Sequence, residues 1–201
     1  MHTLVFGRTG SGKTTLLRQL GGEFRLAHLC VLTWSSIPHE FDGIATRSHR
    51  NFGEFMADVF AHQRCVVIVD EAGEVMRAEQ VADSGTLATR SRHLGHRVFF
   101  SAQRATGLLA PLVRDQCSSA YVFRVSHSDA RALADEFAHE ELRLAPSFRP
   151  GEYLRVDFNG AQRRDLFQST RNSDTQGGVD AHASDSGRGD SRLHRVGGIR
   201  K

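Results

Sequence analysis

A glycine-rich run near the amino terminus has the residue types and the spacing of a phosphate-binding loop. Residues 7–14 read GRTGSGKT and fit the Walker A pattern G-x-x-x-x-G-K-[ST]. Glycines let the backbone wrap so that its N–H groups point at phosphate oxygens, and the helix that follows presents its positive end to the same anion. In such a loop Lys13 reaches the β- and γ-phosphates, and the hydroxyl of Thr14 binds Mg²⁺. The residues expected to bind the nucleotide are Gly7, Arg8, Thr9, Gly10, Ser11, Gly12, Lys13, Thr14 and Thr15.

Two adjacent acids end an apolar run that follows the loop by one strand–helix unit. The run is VVIV at residues 66–69, and it is followed by Asp70 and Glu71. This arrangement is typical of a Walker B motif, in which Asp70 holds Mg²⁺ through water and Glu71 takes a proton from the attacking water. An adjacent catalytic glutamate favours ATP hydrolysis over transfer of phosphate to a bound hydroxyl. It also favours the branch of P-loop proteins in which an extra strand separates the two motif strands.

The apolar run at residues 97–102 is the candidate for that extra strand, and Gln103 follows it. The amide of Gln103 would then lie between the two motifs, near the γ-phosphate. An amide donates to the phosphate and orients water without titrating, so Gln103 is a candidate catalytic residue. Taken alone, it is equally well an ordinary polar residue at the end of a strand.

Short apolar runs that alternate with helical patterns predict the elements that must position these residues. The pattern predicts an α/β fold of the P-loop NTPase class, with a RecA-like ASCE core and a mostly parallel sheet that has helices on both faces. The predicted strands span residues 2–6, 29–34, 65–69, 97–102, 120–125 and 152–158. The predicted helices run from the glycine-rich loop to residue 20 and over residues 51–63, 79–93, 108–113 and 128–139.

Composition predicts one ATPase domain, residues 1–168, and a disordered tail rich in Gly, Ser, Asp and Arg, residues 169–201. From Arg171 onward the chain has no aromatic residue and cannot bury enough apolar surface to offset its ordering entropy. The formal net charge of the chain is +3, of which residues 171–201 carry +2. The nearly neutral body therefore gives no sign by itself of a nucleic-acid partner.

Several classes of protein are disfavoured by what the sequence lacks. No run of 18 apolar residues predicts a membrane span, and no signal peptide is recognised, so an intracellular protein is expected. Three scattered cysteines, Cys30, Cys65 and Cys117, argue against a secreted disulfide scaffold. His93 and His96 lack neighbours at the spacing of a zinc site. The absence of L-S-G-G-Q disfavours a transporter ATPase, and too little chain follows residue 125 for the helical lid of AAA+ proteins.

Four segments carry a resemblance to a known family: residues 7–17, 66–77, 92–104 and 113–133. In this order they resemble the HerA–FtsK superfamily of DNA-pumping ATPases. They are most similar to its small viral members, the genome-packaging ATPases of tailless, internal-membrane icosahedral phages and archaeal viruses. The Walker motifs are shared by many ATPases. The features that point to this family are Gln103 and the arginine-bearing R-H-x-G before its strand.

The resemblance implies an ATP- and Mg²⁺-dependent homohexameric ring that threads double-stranded DNA into a preformed capsid. Capsid vertex or portal proteins would be its partners, in the virion at the packaging vertex or in the host cytoplasm. The resemblance also implies that Gln103 senses the γ-phosphate and that a neighbouring subunit supplies an arginine finger, for which Arg92 is the candidate. The rival candidates are Arg90, Arg104 and Arg114. Candidate DNA contacts are Arg47, Arg50, Arg77, residues 90–97 and the arginines of the tail.

Three other functions remain open at this point. The first is a filamentous-phage assembly ATPase of the zonula-occludens-toxin type, which normally carries a membrane anchor. The second is a P-loop kinase for nucleotides or small molecules. The third is a nucleotide-binding scaffold that does not hydrolyse ATP.

Overall fold

The computed structural model describes residues 2–72, 81–104, 111–158 and 193–195. The strands are β1 His2–Phe6, β2 Val31–Trp34, β3 Arg47–His49, β4 Val66–Val69, β5 Arg97–Ala102, β6 Cys117–Val122, β7 Glu152–Asp157 and β8 Leu193–Arg195. The helices are α1 Lys13–Leu26, α2 Phe52–Ala61, α3 Val81–His93, α4 Pro111–Asp115 and α5 His127–Phe137, and a 3₁₀ helix spans Glu140–Ser147.

The strands form one sheet in the order β3-β2-β4-β5-β1-β6-β7-β8. The pairs from β3 through β6 are parallel, whereas β7 and β8 pair antiparallel. The predicted α/β fold is therefore confirmed, and β5 is the extra strand between β1 and β4. Because parallel strands end at the same edge of a sheet, this order brings together the residues that follow β1, β4 and β5.

Apolar side chains on the two faces of the sheet form two cores, which explains why the central strands read as continuous apolar runs. On one face Leu17 and Phe24 of α1 pack with Ile68 of β4. On the other face Phe55 of α2 and Leu133 of α5 pack into a second core. The burial of both faces confirms that helices cover the sheet on both sides.

Hydrogen bonds from side chains to the backbone determine where two helices begin. Asn51 accepts a bond from the backbone N–H of Glu54 and caps α2. Ser126 accepts a bond from the backbone N–H of Asp129 and caps α5, so this helix begins at His127, one residue before the predicted start. The described part of the predicted helix over residues 79–93 is α3, and residues 79–80 lie outside the described part of the chain.

Several elements differ from the sequence prediction, and helix α1 ends at Leu26 rather than at residue 20. Strand β3 was not predicted because its residues, Arg-Ser-His, are polar and have no apolar alternation. Strand β6 spans Cys117–Val122 rather than residues 120–125, because Cys117 and Ser119 already pair with His2 and Thr3 of β1. The 3₁₀ helix was also not predicted. Of the predicted helix over residues 108–113, only residues 111–113 are described, and they belong to α4.

Within the predicted tail the structure describes three residues, and the domain boundary stays a prediction. Leu193–Arg195 form β8, which pairs with Leu154, Tyr153 and Glu152 of β7. The physical reason is that an edge strand such as β7 presents unpaired backbone N–H and C=O groups, which bind any extended segment whatever its apolar content. The other residues of the predicted tail lie outside the described residues.

Two buried histidines hold the amino-terminal edge of the sheet together. His2 donates from Nε2 to the carbonyl of Ala88, at 2.8 Å, and accepts at Nδ1 from the backbone N–H of Val98. His96 bonds in the same way to the carbonyl of Val59 and the N–H of Cys65, at 3.0 Å each. Both rings are therefore neutral. Burial lowers the pKa of His2 to about 4, and it also lowers the pKa of His96.

The buried histidines predict that the fold loses stability in acid. Below about pH 6.5 the unfolded chain takes up a proton that the folded chain excludes from His2 until the pH reaches about 4. The contribution of His2 to the free energy of unfolding is therefore complete above pH 6.5 and falls by roughly 3 kcal/mol towards pH 4. Urea unfolding at pH 7 and pH 4.5 measures this loss, which should be smaller in His2→Gln. The exposed His127→Gln is the control, and equal losses in wild type and His2→Gln would contradict the interpretation.

Candidate nucleotide-binding site

The glycine-rich loop connects the end of β1 to the start of α1, and two of its glycines are required by its shape. A Cβ at Gly7 would lie 2.5 Å from Oγ of Ser11 and 2.7 Å from Cβ of Phe123, so any side chain would displace the loop. Gly12 has a φ of 109°, in the left-handed region that favours glycine, and it directly precedes the first residue of α1. The loop and the helix start thus have the geometry of a phosphate-binding site.

Backbone hydrogen bonds hold the loop against three neighbouring segments. Gly7 N–H donates to the carbonyl of Ala102 at the end of β5, at 3.2 Å, and Arg8 N–H donates to the carbonyl of Arg124, at 2.9 Å. Gly151 N–H, in the turn before β7, donates to the carbonyl of Ser11 at 2.9 Å. This turn was not predicted from the sequence. The sequence signal for the turn is the Pro150-Gly151 dipeptide before a strand. This dipeptide lies beside the loop only if β7 runs antiparallel to β6.

Lys13 is 6% exposed and lies inside the curve of the loop. Its Nζ donates to the carbonyls of Gly7 and Arg8, at 2.7 and 3.1 Å. Burial lowers the pKa of Lys13, and the negative charges of Asp70 and Glu71 oppose this shift. The amine that the motif assigns to the β- and γ-phosphates is therefore already oriented by the loop itself.

Thr14 and Asp70, the two residues predicted to hold Mg²⁺, are in contact. Thr14 Oγ1 donates to Oδ2 of Asp70 at 3.3 Å, and Asp70 is 2% exposed. The other carboxylate oxygen of Asp70 accepts from the backbone N–H of Glu71 at 3.0 Å. A hydroxyl and a carboxylate are hard oxygen donors of the kind that Mg²⁺ prefers. The residues present therefore fit this ion.

Gln103 and Glu71 form a direct link between the Walker B motif and the end of β5. Gln103 Nε2 donates to Oε1 of Glu71 at 3.1 Å, across 32 residues of sequence. Glu71 has a φ of 50°, a left-handed conformation that is uncommon for a residue other than glycine. The backbone therefore turns sharply at Glu71, just after the end of β4. The amide predicted to lie between the two motifs therefore does so by contacting the predicted catalytic carboxylate.

A cavity of about 590 Å³ opens beside this link. Its lining comes from the loop, the end of β5 and the start of α5. The described residues that line it are Arg8, Thr9, Gln103, Arg104, Ser126, Ser128 and Asp129. Arg8 and Arg104 bring two cationic side chains to this lining, and Asp129 adds a carboxylate that accepts from the hydroxyl of Ser126.

The structure separates the four arginines considered as fingers. Arg104 lies at the site of its own chain. Arg92 lies at the opposite edge of the sheet, where its guanidinium donates to Oε1 of Gln116, just before β6, at 3.0 Å. Arg90 stacks 4.5 Å from the ring of Phe60. Arg114 pairs with Glu136 at 2.8 Å. The structure therefore does not bring Arg92 to the nucleotide site of the same chain.

The arginines considered as DNA contacts have differing surroundings. Arg47 pairs with Asp58 at 2.7 Å, and Asp58 also accepts from His49. Arg50 is exposed, and its carbonyl accepts from the indole N–H of Trp34. Arg77 and the arginine at position 188 lie outside the described residues. Among the described residues, no contact therefore singles out one of these arginines.

Other candidate chemistries find little support among the described residues. Cys30, Cys65 and Cys117 are free thiols, and burial raises the pKa of Cys65 to about 12. Within the described part of the chain, no group of three or more His, Cys, Asp or Glu side chains is arranged to hold a metal ion. None of the described helices is both long enough and apolar enough to cross a bilayer.

Residues 3–118 match the ATPase family associated with various cellular activities (AAA). The matched region is more than half of the 201-residue chain, and it contains the glycine-rich loop, Asp70, Glu71 and Gln103. A comparison with curated protein sequences gives no match.

Several solved structures have a similar fold. One is the genome packaging NTPase B204 from Sulfolobus turreted icosahedral virus 2 in complex with ATP-gammaS, with a TM-score of 0.63 and 17% identity over 79% of this chain and 92% of that chain. The DNA-packaging ATPase B204 from Sulfolobus turreted icosahedral virus has a TM-score of 0.66 at the same identity and coverage. The pCW3 conjugation coupling protein TcpA with ATPgS has a TM-score of 0.58 and 17% identity over 80% and 57% of the two chains. At these identities the likeness shows a shared fold.

Substitution of Gly7 tests whether the loop geometry is required. Gly7→Ala places a methyl group within 2.7 Å of Ser11 and Phe123, so we expect at least a tenfold loss of affinity for an ATP analogue, measured by calorimetry. Gly22→Ala is the matched control, because nothing lies within 4 Å of the added methyl group and alanine favours the interior of α1. Unchanged affinity in Gly7→Ala would show that the loop does not hold the phosphates in this shape.

Proposed function

The chain belongs to the AAA family of ATPases, and from that premise we propose that it is a translocase of double-stranded DNA that packages a viral genome into a preformed capsid. The observation that carries the proposal is the hydrogen bond between Gln103 Nε2 and Glu71 Oε1. It joins the residue that activates water to a strand end beside the phosphate loop, as a motor needs if hydrolysis is to move other parts of the chain. The similar folds of two B204 packaging enzymes and of a conjugation coupling protein support the proposal.

We place the ATPase in residues 1–168 and assign residues 169–201 to a separate tail. The residues of this chain that the proposal assigns to the nucleotide, from Gly7 to Gln103, all precede residue 158. Within the proposed tail, β8 adds only an outer strand next to β7, at the far end of the sheet order from β3.

In this proposal the loop binds the phosphates of ATP before any chemistry occurs. The backbone N–H groups of residues 7–15 and the start of α1 bind the phosphate oxygens. Lys13 exchanges the carbonyls of Gly7 and Arg8 for the β- and γ-phosphates. Thr14 and Asp70 would hold Mg²⁺, which neutralises charge on the phosphate oxygens when it is bound.

Glu71 then removes a proton from the attacking water, and Gln103 holds the carboxylate in place while it does so. An amide cannot titrate, so Gln103 keeps the same hydrogen-bonding groups before and after the proton moves. When the γ-phosphate leaves, the balance between the Gln103–phosphate and Gln103–Glu71 contacts changes. This change is the event that Gln103 would relay to β5 and to the segment that follows it.

The proposed assembly is a homohexameric ring around the DNA, with capsid vertex or portal proteins as further partners, at the virion vertex or in the host cytoplasm. Arg92 is the proposed arginine finger in trans. It lies at the amino ends of the strands, opposite the nucleotide site of its own chain, so it would act at the nucleotide site of a neighbouring subunit. A trans arginine stabilises charge in the transition state by a factor of about 10³ to 10⁵ in rate.

The rate of ATP hydrolysis with and without duplex DNA tests the proposed function. We expect DNA to raise the rate several-fold, because a translocase couples turnover to contact with its track. Glu71→Gln should keep ATP binding and lose hydrolysis by a factor of about 10² to 10⁴, and Lys13→Ala should lose both. The exposed Glu141→Gln is the control for Glu71→Gln. Equal rates with and without DNA would contradict translocation, and full activity in Glu71→Gln would contradict the role of that carboxylate.

Mixing two inactive variants tests the proposed role of Arg92. Arg92→Ala and Glu71→Gln subunits should each be inactive alone. In a mixed ring, the intact Walker motifs of an Arg92→Ala subunit meet the intact Arg92 of a Glu71→Gln subunit, so activity should return to at least a tenth of the wild-type rate. Light scattering of the mixture verifies that rings form, and continued inactivity in mixed rings would contradict a finger in trans.

A further inference from the structure

A second, smaller cavity of about 190 Å³ lies on the other flank of the glycine-rich loop. Three segments enclose it: the loop, the second residue after the end of β6, and the turn before β7. Its lining among the described residues is Arg8, Thr9, Gly10, Ser11, Arg124 and Pro150. The backbone bonds Arg8 N–H to Arg124 O and Gly151 N–H to Ser11 O fix both outer segments against the loop, at 2.9 Å each.

The strand order determines which part of a nucleotide reaches this cavity. Glu71 and Gln103, which act at the γ-phosphate, follow β4 and β5 on one side of β1. When a triphosphate lies along the loop with its γ-phosphate on that side, the nucleoside at its other end extends towards β6 and β7. The cavity beside Arg124 and Pro150 is on that side, so it is where the nucleoside emerges.

The side chains that line this cavity carry donors but no carboxylate or amide. Guanidinium groups such as those of Arg8 and Arg124 only donate hydrogen bonds, and the hydroxyl of Thr9 either donates or accepts. The hydroxyl of Ser11 is directed beneath the loop, close to Gly7. Selection of adenine requires an acceptor for its exocyclic amine, and within the described residues no lining side chain is dedicated to that purpose.

We propose that this site does not select adenine, and that Arg124 donates to the base edge so that 6-oxo purine triphosphates are hydrolysed as readily as ATP. The inference rests on the proposed ATPase site and specifies its substrate class. Guanine and hypoxanthine present O6 and N7 as two neighbouring acceptors, which match a guanidinium, whereas adenine presents N7 beside an amine that donates. Arg124 is suited to this contact because it lines the cavity and because its carbonyl accepts from Arg8 N–H, which fixes its backbone beside the loop.

Steady-state hydrolysis of ATP, GTP and ITP by the full chain tests the inference. We expect kcat/KM values for GTP and ITP within tenfold of the value for ATP. A site that reads the exocyclic amine through a buried acceptor would reject the 6-oxo purines by a factor of about 10⁴. A preference for ATP greater than a hundredfold would overturn the inference.

Substitutions of Arg124 separate contact with the base from a structural role. In Arg124→Ala we expect KM to rise at least tenfold for GTP and ITP and by a smaller factor for ATP, because the 6-oxo purines lose two acceptor contacts and adenine loses one. The kcat values should not change, since the reacting phosphate is on the other side of the loop. Arg124→Lys keeps a cationic donor and should recover part of the KM for GTP. Arg131→Ala, at an exposed arginine of α5, is the control.

Three outcomes are decisive. Equal changes in KM for ATP and GTP in Arg124→Ala, or unchanged KM values, would overturn the assignment of Arg124 to the base. Hydrolysis of ATP without hydrolysis of GTP would overturn the proposed substrate class and leave the ATPase function intact. The absence of hydrolysis for all three nucleotides would instead contradict the proposed function itself.

Discussion

The site depends on the parallel pairing of β5 with β1 on one side and with β4 on the other. This pairing places Gly7, Glu71 and Gln103 after the carboxyl ends of adjacent strands, although they are far apart in sequence. The pairing is held in turn by burial on both faces of the sheet, where Ile68 and Phe100 are fully enclosed. Each such side chain contributes about 1.5 to 3 kcal/mol. The hydrophobic core thus determines the relative positions of Glu71 and Gln103 at the carboxyl ends of the strands. The single hydrogen bond between them would not maintain those positions.

The parts of the fold that the sequence predicts are those with a local signal. Both β1 and β5 have the predicted bounds, because each is an apolar run that stops at a polar or glycine-rich segment. Strand β3 has no such signal, since its residues lie at an exposed edge where burial imposes no alternation. The turn at residues 149–151 could not be placed, because its position depends on the antiparallel direction of β7, which no residue encodes by itself. The contact between Gln103 and Glu71 was predicted only as proximity, since its atoms depend on backbone angles.

The small net charge of the chain conceals an uneven distribution. Some arginines away from the nucleotide site are neutralised by ion pairs, as Arg47 is by Asp58 and Arg114 is by Glu136. At the carboxyl edge of the sheet, Arg8, Arg104 and Arg124 form no ion pair with a described residue. Lys13 and the positive end of α1 point to the same edge. The potential that a nucleotide meets is therefore set by this edge rather than by the total charge.

The left-handed backbone of Glu71 has a consequence for how the chain tolerates change. A residue with a side chain in this conformation stores about 1 to 2 kcal/mol of strain that a glycine at the same position would not. Glycine at position 71 would relieve the strain and also remove the carboxylate that is proposed to activate water. Stability and turnover therefore oppose each other at this position, and selection for thermal resistance alone would favour the loss of the acid.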